Sequence, residues 1–301
     1  MNKLMNQEIL IKHLKKIGYK LMNLLFYLCM TLIFLVLIQL FCFTSFKIPS
    51  DSMEPALWAG DRIMVNKLVK GARLFNVTGA LNQEDIDIYR MPALGKLKRN
   101  DVLVFNFPYQ EGRWDSICFD VMKYYVKRCI ALPGDTLEIR KGFFKVWGVE
   151  EILGNLSAQR RISVLTDSTT YGVVLSAFPR DEKHNWTVQE FGPLPIPRQG
   201  QVVMLDRMTA SLYRQLIGWE QKKKIRIEEE NVFIGDSLVN EYCFRENYYF
   251  VAGDRAENSQ DSRYWGMLPE PFIVGKATFI WKSVDPMTGH LRWNRIFKRI
   301  K

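Results

Sequence analysis

Three histidines stand in the chain, and none sits where a Ser-His-Asp arrangement would use it: His13 precedes a long apolar run, His184 lies in a polar stretch and His290 in a basic tail. A serine hydrolase built from this sequence therefore needs another base, and a lysine whose proton is loosened by burial can serve. Ser52 stands in SFKIPSDSMEPALWAGD (45–61), on a turn stiffened by Pro49 and Pro55. Lys127 stands in KYYVKRCIALPGD (123–135), a strand closed by a Pro-Gly-Asp turn. Period-two alternation puts Tyr125, Lys127 and Cys129 on one face of that strand and Tyr124, Val126, Arg128 and Ile130 on the other. A lysine between a tyrosine and a cysteine is a candidate for burial; the same residues also fit a plain turn serine and a solvated edge-strand lysine. Cys29, Cys42, Cys118, Cys129 and Cys243 form no CxxC pair and no Cys/His cluster, so no structural zinc site is expected.

The elements that must position these groups are mostly β. Short β-branched or aromatic runs alternate with Gly, Pro and Asp turns: DRIMVNKLV, DVLVFNF, KYYVKRCIAL, TLEIR, GFFKVW, QVVML, KIRIEE, NVFIG, YYFVAG and KATFIW. One amphipathic helix is expected near Thr209–Glu220, with Leu212, Leu216 and Trp219 on its apolar face. The polar stretch 148–200 ends in FGPLPIPRQG, whose prolines fix an extended crossing segment. Leu24–Phe43 carries no charge and, as a helix, spans roughly 30 Å, the thickness of a bilayer core. Lys3, Lys12, Lys15, Lys16 and Lys20 precede it against a single Glu8, which places the N-terminus inside and the remaining chain across the membrane. The expected organisation is a basic N-terminus (1–23), an anchor (24–43), a catalytic core in two parts (44–147 and 241–283) around an accessory α+β/β insertion (148–240), and a basic tail (284–301). In that tail Arg292, Arg295, Lys298, Arg299 and Lys301 interleave with Trp293, Ile296 and Phe297, fitting either a lipid surface or packing on the β-domain. The chain of 301 residues is 48% hydrophobic and 25% charged, which excludes a disordered chain and a multi-span transporter. Its net charge of +10 makes an anionic neighbour possible.

Four blocks in order, IPSDSMEPAL with the following GD (48–61), RNDVLVF (99–105), YYVKRCIALPGD (124–135) and GDRAENSQDSRYWG (253–266), follow the N-terminal anchor. In these the chain resembles the bacterial type I signal peptidases, membrane-bound Ser/Lys serine endopeptidases with a β-sheet catalytic domain. The resemblance implies Ser52 as nucleophile, Lys127 as general base and Ser50 as an oxyanion-hole hydroxyl beside the Ser52 backbone N–H. It implies that Ser259 orients the lysine, that Asp254, Asp261, Arg263 and Arg128 brace the site, and that Ile48, Met53, Leu57, Tyr125 and Val126 lie where small substrate residues are held. It further implies exported preproteins as substrates, a lipid bilayer and export machinery as partners, no metal or other cofactor, no nucleic acid, and a place in the bacterial inner membrane with the catalytic domain outside. Three departures mark this sequence: Asp51 between the two serines, where its side chain is expected to face solvent; Asn100, which tolerates a positive φ; and Arg255-Ala256-Glu257 in the last block. The alternatives are a pseudo-peptidase that binds signal peptides without cutting them and a self-cleaving repressor-type Ser/Lys protease, against which the anchor argues.

Overall fold

The computed structural model describes residues 2–82, 84, 86–110, 113–166 and 172–301; the side chains of Lys3, Glu8 and Lys12 lie outside the described residues. Helix α1 (Asn2–Phe41) runs unbroken through the basic flank and the apolar segment. Its stretch His13–Phe41 is long and apolar enough to cross a membrane, and none of its most apolar part is buried against the protein. The helix stops two residues short of Phe43, which already opens strand β1 (Phe43–Lys47). Lys67 closes the end: its Nζ donates to the Gln39 and Leu40 carbonyls at 2.9 and 3.0 Å, and its backbone N–H to the Cys42 carbonyl at 2.8 Å. These are carbonyls that a helix C-terminus leaves without partners.

The main sheet is built from β1, β2 (Asp61–Asn66), β3 (Val102–Asn106), β4 (Tyr124–Ala131), β8 (Tyr248–Ala252), β9 (Leu268–Pro269) and β10 (Ile273–Ser283). Its seven strands are ordered β1-β2-β10-β3-β4-β8-β9, each antiparallel to its neighbour. Three further strands, β5 (Thr136–Arg140), β6 (Phe143–Val146) and β7 (Phe191–Pro195), form a second sheet ordered β6-β5-β7. The proline-rich segment thus crosses as a strand, as its fixed φ values predict. All ten apolar runs contain a strand, so the protein is mostly β. Helix α2 (Leu156–Ser163), capped by Asn155, has no counterpart in the sequence reading. The amphipathic helix spans Arg207–Gln221 (α3), started by a reciprocal Asp206/Thr209 capping box. It buries Leu212, Tyr213, Leu216 and Ile217, while Trp219 packs edge-on against Phe272 at 5.5 Å.

One apolar core joins the two sheets. Leu103, Phe105 and Cys129 of the main sheet pack with Leu137, Ile139, Phe191 and Leu194 of the second and with Leu212 and Leu216 of α3. A second cluster on the opposite face gathers Ile48, Met53, Leu57, Ile63, Val104 and Ile280, with Val126 against it. The basic tail lies on the β-domain. Arg295 is buried and grips Asp61 through Nη2 at 2.6 Å, and the Lys301 carbonyl accepts from Arg128 at 2.9 Å. Arg295 is therefore a structural cation, whereas Trp293 and Phe297 stay exposed.

Candidate active site

The loop between β1 and β2 carries Ser52 and is strapped down at both ends. The Ile48 N–H donates to the Asp61 carbonyl, and the Gly60 N–H to the Ile48 carbonyl, each at 2.8 Å. Asp61 Oδ2 accepts from the Trp58 N–H at 2.8 Å. Gly60 has φ +91, and a Cβ there would come within 1.9 Å of the Val284 carbonyl oxygen, so this turn requires glycine. Within the loop Ile48, Met53 and Leu57 are buried in the second apolar cluster, which anchors the backbone around Ser52.

Lys127 comes from the middle of β4, opposite Leu103 of β3. It is only 4% exposed, and its Nζ lies 2.7 Å from Ser52 Oγ, a contact spanning 75 positions of sequence. Burial is the main cause that draws its amine down to about 8; Asp261, Asp254 and Asp51 pull it back up, and Arg263 lowers it. The Nζ also lies 5.8 Å from the centroid of the Tyr125 ring, which stacks on Phe107 at 4.4 Å. Tyr125 and Lys127 thus share a face, as alternation predicts, while Val126 turns to the cluster of Ile48, Met53 and Leu57. The expected substrate-contacting residues therefore divide between the two faces of β4.

The bracing residues form two buried ion pairs beside the lysine. Asp261 is fully buried and accepts from Arg263 Nε and Nη2, both at 2.8 Å, and from the Gly253 N–H at 2.9 Å. Burial by itself would raise the Asp261 carboxyl; the Arg263 guanidinium and the Gly253 amide outweigh it and hold it below the usual carboxylate range. Arg128 donates to both oxygens of Asp254 at 2.6 Å and to the Asn100 carbonyl at 2.7 Å. Asn100 adopts φ 66 as anticipated, and its side-chain oxygen accepts from the Gly154 N–H at 2.8 Å. Asn155, which the sequence reading did not single out, donates to the Asp254 carbonyl at 2.9 Å. Its signal was the N-cap position before an unrecognised helix.

Two expectations are met differently. The Ser259 hydroxyl is buried with no hydrogen-bond partner among the described residues, so the lysine contact implied by the resemblance is not made here. A Cβ at position 253 would stand 2.2 Å from Ser259 Oγ and 2.7 Å from the Ser52 carbonyl oxygen, so Gly253 lets the segments close together. The Asp51 carboxylate, expected to face solvent, is instead ion-paired with Arg255 and accepts from Asn258 Nδ2 at 3.0 Å. A counter-charge within reach outcompeted water at this half-exposed position. Ser50 is exposed, two residues before Ser52. A cavity of about 580 Å³ between Tyr89, Phe119, Trp219 and Phe272 has neither Ser52 nor Lys127 in its wall, so the chemistry of that pair does not belong to it.

A family model described as signal peptidase, peptidase S26, matches residues 21–282. A Signal peptidase I of Pseudomonas aeruginosa is 30% identical over 274 residues, covering 86% of this chain and 72% of that protein. One of Haemophilus influenzae is 28% identical over 289 residues, covering 88% and 72%. One of Helicobacter pylori is 26% identical over 298 residues and covers 90% of each chain.

Proposed function

The chain belongs to the signal peptidase family, peptidase S26, and from that premise we propose a membrane-anchored serine endopeptidase that removes N-terminal signal peptides from exported preproteins through Ser52 and Lys127. The observation that carries this reading is the 2.7 Å contact between a hydroxyl and an amine that burial keeps nearly water-free. Neutral Lys127 takes the Ser52 proton as Oγ attacks the carbonyl carbon after a small substrate residue. The oxyanion is received by the Ser50 hydroxyl and the Ser52 N–H, donors of a kind that contribute about 3–4 kcal/mol to transition-state stabilisation. The charged lysine then gives its proton to the departing amine, and water, deprotonated by the same lysine, releases the acyl group from Ser52. Asp261–Arg263 and Asp254–Arg128 brace the strand and loop that hold this geometry, and Ser259 engages the amine once substrate is present. Tyr125 and Val126, both part-exposed, border the surface that admits only small side chains next to the cut bond, and Ile48, Met53 and Leu57, buried beneath the Ser52 loop, support it from within.

In this reading α1 crosses the bacterial inner membrane with its basic end inside and the catalytic domain outside, and no nucleic acid, metal or other cofactor takes part. Holding enzyme and signal peptide in one bilayer raises their effective concentration. Cleavage of a model preprotein by wild type, Ser52→Ala and Lys127→Ala tests it. Both variants are expected to lose about 10³-fold or more in kcat. Turnover surviving in either one sinks the assignment, and binding without cutting by the wild type would make the protein a signal-peptide receptor.

A further inference from the structure

Asp51 and Arg255 stand 204 positions apart, and both border Ser52. The Asp51 side chain is ion-paired with Arg255, and Asn258 Nδ2 donates to its two oxygens at 3.0 and 3.2 Å. Directly beside this, the Arg255 backbone N–H donates to the Ser52 carbonyl at 3.0 Å. The nucleophile's loop is thus stitched to the 253–259 segment by a backbone bond and a side-chain pair at adjacent residues. Both side chains are 38% exposed. Two further carboxylates approach Arg255: Glu54 Oε2 lies 3.6 Å from its Nη1, and Glu257 Oε1 lies 4.0 Å from its Nε and is itself paired with Arg161 at 2.8 Å.

We infer that the Asp51–Arg255 pair is a positioning device for the reaction: it clamps the Ser52 loop against the 253–259 segment and cancels a carboxylate that would otherwise stand beside the developing oxyanion. The inference rests on the Ser52/Lys127 reading. Asp51 sits next to the nucleophile, so without a counter-charge it would oppose negative charge on the substrate oxygen and hold a proton on Lys127. The charges that act on Lys127 come from Asp261, Asp254 and Asp51 on one side of the balance and Arg263 on the other. Asp51 is one of these charges and Arg255 is its counter-charge, so by Coulomb's law deleting one lowers the Lys127 amine and deleting the other raises it, which a loss of structural support alone does not do.

The test uses the full chain in proteoliposomes with a model preprotein. Asp51→Asn, leaving Arg255 with only the longer contacts to Glu54 and Glu257, is expected to lower kcat about 3- to 10-fold and move the acid limb of the rate profile down by about half a pH unit. Arg255→Gln is expected to lower kcat about tenfold or more with KM within about twofold, and to move the same limb up. The neutral double variant Asp51→Asn/Arg255→Gln returns the limb to its wild-type position. Amide exchange at Arg255, whose N–H bonds to Ser52, reads the clamp without reference to cleavage and is expected to quicken about tenfold in Asp51→Asn. Unchanged exchange overturns the inference, as do single variants whose kcat matches wild type and whose acid limbs do not separate. Ser52→Ala in the same preparations keeps the two readings apart: if it cleaves like wild type the catalytic assignment falls, and faster exchange in Asp51→Asn still supports the clamp.

Discussion

A buried lysine leaves its mark on stability as well as on rate. Lys127 is drawn from 10.5 to about 8 by burial. Below about 8 both the folded and unfolded chains carry its proton, so it adds no pH dependence there. Between about 8 and 10.5 the unfolded chain binds more protons, and the unfolding free energy rises with pH through that window. Lys127→Met is therefore expected to be about 2 kcal/mol more stable than wild type at pH 7, an advantage that shrinks as pH climbs towards 10.5. Denaturant unfolding across pH 7–11 checks this, and an advantage that grew with pH would contradict it. Ser259 offers a second residue-scale test. Its hydroxyl already lacks a partner among the described residues, so Ser259→Ala is expected to cost no stability and to gain up to about 1 kcal/mol. A lower kcat at undiminished melting temperature would place its role in turnover alone. At this scale turn chemistry and strand alternation marked a turn serine and a strand lysine without pairing them; it was the resemblance of four ordered blocks that joined Ser52 to Lys127. The Asp51–Arg255 pairing was not, because nothing local links positions 204 apart.

Among the elements, strand content was readable because short β-branched runs bounded by Gly, Pro and Asp have few other solutions. Alternation along β4 correctly separated Lys127 and Tyr125 from Val126. What escaped were the short helices Val77–Leu81, α2 and Ser262–Trp265; α2, the longest at eight residues, buries only two apolar side chains among polar ones, too few for periodicity to register. Packing of the segment after β8 depends on one missing side chain. Gly253→Ala would drive a methyl group into Ser259 and the Ser52 carbonyl, and backbone cannot yield there as a flexible side-chain tip can. We expect a loss of about 3 kcal/mol in stability or, where the segment shifts to relieve it, a fall of at least about 100-fold in kcat. Melting temperature and single-turnover cleavage together distinguish the two; a variant normal in both would show that the segments need not touch.

For the whole molecule, the division into core, insertion and tail is less sharp than sequence blocks imply, because one apolar core runs from the main sheet into α3. The tail is tied in by a buried ion pair. Removing one member leaves the other charged and unpaired, so Arg295→Ala is expected to cost about 3–5 kcal/mol, measurable as a lowered urea midpoint. A loss under about 1 kcal/mol would mean the Asp61 site rehydrates. Sequence could not reveal this role, since a basic residue in a basic tail carries no sign that it faces inward.

Lys67 bears on how such a protein would choose where to cut. By fastening the last carbonyls of α1 to the residue that follows β2, it removes the slack between that apolar helix and the main sheet. With α1 in a bilayer, Ser52 rides at a set altitude above the lipid surface. The enzyme would then work as a depth gauge, cutting where the substrate chain reaches that altitude; a slack spacer inserted after Phe41 should blur a single cut into a ladder of neighbouring ones.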